Sequence, residues 1–170
     1  MIRELKWNDL DDLVNNYYSY YDELRDTPDF GISFYKKIPD FSSEVEWFTG
    51  LYKSVLDGNA VAVVAEEDGR AVGLCEIERI RPGTELEHSG VLGIAVRKGY
   101  RGRGIGEAMI KRAIELSKGK FEILKLEVFS VNTGAINLYK RVGFVEYGTF
   151  PKAVKRGERY YDVVQMYCTL

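Results

Sequence analysis

Cysteine, histidine and proline are scarce in this chain: 2, 1 and 4 residues among 170. Two cysteines, Cys75 and Cys168, build no disulfide framework and fit a reducing cytoplasm. A single histidine, His88, argues against a His-rich metal centre, so no metal is expected. No apolar run approaches the roughly 20 residues that span a bilayer. The start, Met1-Ile2-Arg3-Glu4-Leu5, lacks the basic-then-apolar order of a signal peptide. The expectation is a cytoplasmic protein with no membrane partner. Repeats, low-complexity tracts and linkers are also missing, so residues 1–170 read as a single domain. What is present is a composition of 45% apolar and 29% charged residues, enough for a packed core.

Charge is unevenly spread behind a formal net value of −2. Residues 1–96 hold 19 Asp and Glu against 9 Lys and Arg, whereas residues 97–170 hold 7 against 15. The basic half suits a bound polyanion and the acidic half a cationic partner.

The basic half opens on Arg97-Lys98-Gly99-Tyr100-Arg101-Gly102-Arg103-Gly104-Ile105-Gly106. An apolar run, Val91 to Val96, precedes it and an amphipathic stretch, Glu107 to Lys118, follows. The order is strand, glycine-rich turn, helix. Glycines let backbone approach a ligand, and a helix N-terminus presents unpaired N–H groups and a partial positive charge. Together they make an anion site, most often for phosphate.

Around this loop the pattern gives a strand at Ile2–Leu5 and a helix capped by Asn8 or Asp9. On that helix, spacings of three and four bring Tyr17, Tyr20 and Tyr21 to one face, for core packing or the rim of a pocket. Residues 27–41, with two prolines and a glycine, read as a loop. Ser42 or Ser43 is expected to cap a helix over Glu44–Leu56. Strands follow at Ala60–Ala65, Ala71–Ile80 and Glu85–Val96, then the loop and its helix. A strand at Ile123–Phe129, a helix at Thr133–Val142 and final strands at Phe144–Phe150 and Tyr160–Cys168 complete the chain. This order implies a mixed α/β sheet with helices on its faces.

Phosphate-binding loops differ in their details. A P-loop needs Lys-Ser/Thr after its last glycine, and Glu107-Ala108 stands there. A Rossmann fingerprint needs a third glycine or alanine where this chain has Glu107 or Met109. Two Arg-Gly pairs without stacking aromatics are too few for nucleic-acid binding, and no nucleic-acid partner is expected.

The pattern Arg101-x-x-Gly104-x-Gly106 resembles the coenzyme A pyrophosphate motif of the GCN5-related N-acetyltransferases (the GNAT superfamily). Downstream, Asn132, Ala135, Leu138-Tyr139 and Gly143-Phe144 resemble the family's second motif. The resemblance spans residues 91–144 and implies a mostly antiparallel mixed sheet of six to seven strands, flanked by about four helices. It also implies acetyl-coenzyme A as cosubstrate and a primary amine as acceptor, such as a protein N-terminus, a polyamine or an amino-acid-like molecule. A homodimer is compatible with it.

Carried onto these positions, the resemblance implies a pyrophosphate cradle from Arg101, Gly102, Arg103, Gly104, Ile105 and Gly106. It places the pantetheine arm on the backbone of Ile94, Ala95 and Val96, with an amide near Ile94 holding the oxyanion. Asn132 and Ala135 belong to the cofactor side, Asn132 either touching the arm or capping its helix. Tyr139 is the implied general acid for the leaving thiolate. An amine of pKa about 10 must lose a proton before attack. Glu127, on the strand facing the cofactor, is the first candidate base. Glu87, on the strand before the loop, is the second, acting through water. A non-catalytic coenzyme A sensor or interaction module on the same fold is the alternative.

Overall fold

The computed structural model describes residues 1–170. In chain order come β1 (Ile2–Glu4), a 3-10 turn (Trp7–Asp9), α1 (Leu10–Asp26), α2 (Phe41–Leu56), β2 (Ala60–Glu67), β3 (Arg70–Arg79) and β4 (Ser89–Val96). Then follow α3 (Ile105–Ser117), β5 (Ile123–Phe129), α4 (Thr133–Arg141), β6 (Val145–Arg156) and β7 (Arg159–Thr169). All seven strands join one sheet in the order β1-β2-β3-β4-β5-β7-β6. Every pairing is antiparallel except β4 with β5. The mixed, mostly antiparallel sheet with four helices is the expected architecture.

The central strands are apolar at successive positions because helices cover both faces. Val61, Val63, Cys75 and Ile77 point to the side of α3, where Met109, Ile110 and Ala113 are buried. Ala60, Ala62, Val64 and Leu74 point to the opposite side, against Leu13 of α1 and Phe48 and Leu51 of α2. No helix is long and apolar enough to cross a membrane.

Several boundaries move for local reasons. Asp40, not Ser42 or Ser43, caps α2, its carboxylate accepting from the Ser43 amide at 2.8 Å. Asp9 stands at the N-cap position of α1, but its carboxylate accepts from the Lys6 amide and pairs with Arg3, each at 2.7 Å. The strand expected from Glu85 begins only at Ser89. Residues 81–88 turn repeatedly instead: Arg81 and Gly83 have positive φ, and the Thr84, Glu87 and Ser89 amides each donate three residues back.

One feature of the sheet positions the candidate site residues. β4 and β5 pair only through Ser89–Ile123, Gly90–Leu124 and Val91–Lys125. From Leu92 onward β4 keeps only β3, and from Leu126 onward β5 keeps only β7. The sheet therefore splays open between their C-terminal halves.

Candidate active site

The splay opens into a groove of about 1570 Å³, larger than the roughly 300–1,000 Å³ usual for one small ligand. One side is the free edge of β4. Alternation along a strand turns the backbone groups of Ile94 and Val96 the same way. The Val96 carbonyl looks into the splay, where Arg101 Nε donates to it at 2.6 Å. An extended, amide-bearing chain fits this edge as an added strand would.

At the end of β4 the glycine loop turns the chain into α3. Gly99, Gly102 and Gly104 hold φ of 90°, 72° and 77°. Glycine adopts such angles at the least cost, and Asn or Asp come next. Gly104 stands at the N-cap position with no side-chain cap, and the first helical bond runs from the Ala108 amide to the Gly104 carbonyl. The N–H groups of Ile105, Gly106 and Glu107 are left without a partner, and Gly106 and Glu107 line the groove. That is the arrangement that binds phosphate oxygens. A Cβ on Gly106 would sit 3.4 Å from Leu138, so α4 packs in van der Waals contact with this helix end.

The side-chain charges of the loop are engaged elsewhere. Arg101 pairs with Glu23 of α1, Nη2 to Oε2 at 2.9 Å, and lies 5.0 Å from the Phe30 ring centre. Arg103 stands over Tyr100 and 3.8 Å from Glu67, and Ile105 packs against the main core. Of the six expected cradle residues, Arg101, Gly102, Gly104 and Gly106 line the groove, and Arg103 and Ile105 do not. What the loop offers an anion is backbone.

On α4, Asn132 caps the helix: Oδ1 accepts from the Ala135 amide at 3.2 Å. Its amide nitrogen sits so near Gly31 that a Cβ there would lie 2.7 Å away, linking α4 to the 27–40 loop. Asn132, Ala135 and Tyr139 all line the groove. Tyr139 is 7% exposed and meets Phe144 edge-on at 6.1 Å. Burial pushes its phenol above the ordinary tyrosine range, and Cys75 and Glu76 add to the effect. It stays protonated at neutral pH.

The carboxylates are arranged differently from the sequence expectation. Glu127 lines the groove but is exposed, with Gln165 donating to it at 3.3 Å. Glu87 lies in the 81–88 turn rather than on a strand, where its carboxylate accepts from the Gly83 amide at 2.7 Å. It is exposed and does not line the groove.

A third carboxylate, Glu76, was not foreseen. It lies on β3 opposite Gly93 of β4, and both line the groove. A Cβ on Gly93 would come within 2.5 Å of Glu76 Oε1, so the missing side chain makes the space that this carboxylate fills. Burial chiefly, and then the charge of Glu78, push Glu76 up to about 7. In sequence it is one of two glutamates on the strand Ala71–Ile80, and its pairing with Gly93 appears only in the folded sheet.

Comparison with known proteins bears on the fold and the family. An uncharacterized N-acetyltransferase of Methanocaldococcus jannaschii is 36% identical over 149 residues, which cover 85% of this chain. The match takes in 60% of that relative, so this chain spans only part of its length. The ribosomal-protein-alanine N-acetyltransferase of Brucella melitensis superposes with a TM-score of 0.84 at 27% identity, covering 100% of this chain and 99% of that one. A phosphinothricin acetyltransferase of Sinorhizobium meliloti, solved in complex with acetyl-coenzyme A, superposes equally well at 0.84 and shares the fold at 18% identity. Those coordinates cover 100% of this chain and 88% of that one. The model of the acetyltransferase (GNAT) family matches residues 10–144, and the chain belongs to that family.

Proposed function

We propose that the protein is an N-acetyltransferase that moves the acetyl group of acetyl-coenzyme A directly to a primary amine. The observation that carries this reading is one groove holding four things: free helix N–H groups, an open strand edge, a buried phenol and a carboxylate poised near neutrality. The fold neighbour bound to acetyl-coenzyme A supports the choice of cosubstrate.

Acetyl-coenzyme A supplies an acetyl group activated as a thioester. The amides of residues 105–107 hold its pyrophosphate, and the backbone of Ile94 and Val96 orients its arm. Binding along Val96 requires the Arg101 guanidinium to give way or share the Val96 carbonyl. Glu76 accepts the proton of the incoming ammonium. A general base works best with a pKa near the working pH, and about 7 meets that condition. As the amine forms its bond to carbon and the bond to sulfur breaks, Tyr139 donates its O–H to the leaving thiolate. Because burial raises its pKa, Tyr139 acts chiefly as a hydrogen-bond donor that relays a proton from solvent. The ammonium gives up two protons, the first through Glu76 to solvent and the second, shed to water as the C–N bond forms, in balance with the one that Tyr139 passes to the thiolate, and no covalent enzyme intermediate is formed.

In this reading Glu76 replaces Glu127 as the principal base, and Glu127 tunes the charge of the outer groove. Glu76 and Glu127 both sit on the α1 and α2 side of the sheet, since their strand neighbours Cys75, Ile77, Leu126 and Val128 face the opposite core. The amine therefore enters from the α1 and α2 side, and the donor from the α3 and α4 side. A protein N-terminus, a polyamine and an amino-acid-like molecule all carry a suitable amine.

The test is thiol release from acetyl-coenzyme A with a panel of primary amines, with products weighed by mass spectrometry. Amine-dependent release and an acetylated product are expected. Calorimetric coenzyme A binding without any acetyl transfer would instead support a non-catalytic module, and absence of binding would overturn both readings.

A further inference from the structure

Past Glu76 the groove runs on between α1, the 27–40 loop and the first turns of α2, and this end holds an anion with no partner. Glu44 of α2 is only 6% exposed and lines the groove, yet its carboxylate takes part in no hydrogen bond or ion pair. Burial alone pushes its carboxyl up. No side-chain oxygen in the structure is both sealed from solvent and unpaired, so the Glu44 carboxylate opens to the groove rather than into the core. Glu44 lies near the N-terminus of α2, whose dipole favours a negative charge.

Its surroundings are aromatic. Trp47, one helical turn along α2 and 41% exposed, lines the same space, as does Tyr17 of α1. Tyr17 meets Tyr21 edge-on at 5.4 Å, bonds it through hydroxyls 3.2 Å apart, and stacks on Phe34 at 6.4 Å. The Glu44 charge contributes to raising the phenols of Tyr17 and Tyr18, which places it close to both. Nearby rings already hold this chain's own cations: Arg101 lies over Phe30, and Arg156 over Phe34 at 5.7 Å. No such cation reaches Glu44. Lys36 and Lys37 also line the groove, but both are exposed and neither pairs with it. A carboxylate beside aromatic rings recognises an ammonium, through charge and through the ring faces. The same carboxylate repels the acid group of an amino acid.

We infer that this pocket is a subsite for the second cationic group of a diamine acceptor, whose reacting amine lies at Glu76 and whose far ammonium rests on Glu44 between Tyr17 and Trp47. The inference rests on the acetyl-transfer reading and adds the acceptor class to it.

The experiment compares straight-chain α,ω-diamines of four to eight carbons with monoamines of equal length and with L-methionine. Hydrogen bonds to charged groups set the expected scale, so the best diamine should exceed its monoamine in kcat/KM by about 10- to 100-fold. In Glu44→Gln, which keeps the shape and should keep the wild-type unfolding temperature, that ratio should fall to within about threefold of one, through KM. Trp47→Ala, at an exposed position that does not threaten folding, should lower the ratio by a smaller factor. A wild-type ratio near one, a ratio that survives Glu44→Gln, or a preference for L-methionine overturns the inference. Calorimetry of 1,6-diaminohexane with coenzyme A-loaded protein separates the two proposals. Diamine binding lost in Glu44→Gln but without turnover sinks the acetyl-transfer reading and keeps the subsite, and no diamine binding sinks the subsite.

Discussion

Replacing Glu76 with glutamine removes the titrating group and almost nothing else, since the amide fills the same space over Gly93. Two consequences can be worked out. The wild-type carboxyl titrates at about 7 against an ordinary value of 4.5. Ionising it in the folded protein is therefore unfavourable by about 3 kcal/mol relative to the unfolded chain. The sign follows from a raised carboxylate pKa. The wild type loses stability as pH rises from 4.5 through about 7, and Glu76→Gln should lose less over that window. Chemical denaturation at pH 5 and pH 8 measures the difference. Activity should move the opposite way. As base, Glu76 must be ionised, so wild-type kcat/KM should fall about tenfold per pH unit below about 7. The variant should be slower by about 100-fold or more at pH 7.5 and should lack that limb, following only the ionisation of the amine. Glu127→Gln serves as the comparison and should stay within about threefold of wild type, because an exposed carboxylate is weakly coupled to the reaction. A Glu76→Gln enzyme of near-normal rate, or one that keeps the limb near 7, refutes the argument. So does a Glu127→Gln enzyme that loses activity in its place.

Other outcomes follow from the same geometry. Tyr139→Phe keeps the ring packing on Phe144 and should lower kcat by about 10- to 100-fold, with coenzyme A affinity by calorimetry within about twofold. Gly104→Val should abolish measurable coenzyme A binding. Space is open around Gly104, so the defect arises from its φ of +77°, which a β-branched residue strongly resists. Gly104→Asn, tolerant of that region, should retain binding. Gly90→Ala should destabilise the fold by about 1–3 kcal/mol in urea titration, because the new Cβ would lie 2.7 Å from Ile77 and 3.2 Å from both Leu124 and Phe121.

The sequence by itself determined what depends on neighbours along the chain. The loop from Arg101 to Gly106 was legible because positive φ, a helix start and free amides are local properties written in glycine spacing. The apolar runs of the central strands were legible in the same way, whereas the burial of Tyr139 depends on its packing against Phe144 and the main core. Glu87 was misplaced because the turn over residues 81–88 is held by its own hydrogen bonds, including one from the Gly83 amide to Glu87 itself, which strand periodicity does not register. Tertiary structure alone decided the rest. Glu76 gains its raised pKa from burial and then from the charge of Glu78, in a space left by a cross-strand glycine 17 positions away, and register is a pairing between strands. Arg101 is tied to Glu23, 78 residues earlier, so the unpaired groups that this part of the loop turns to the groove are backbone amides. Glu44 stands unpaired among aromatic rings only because α1, α2 and the loop between them close over it. Charge and burial act through space, so the groove's acids became readable only once the chain was folded.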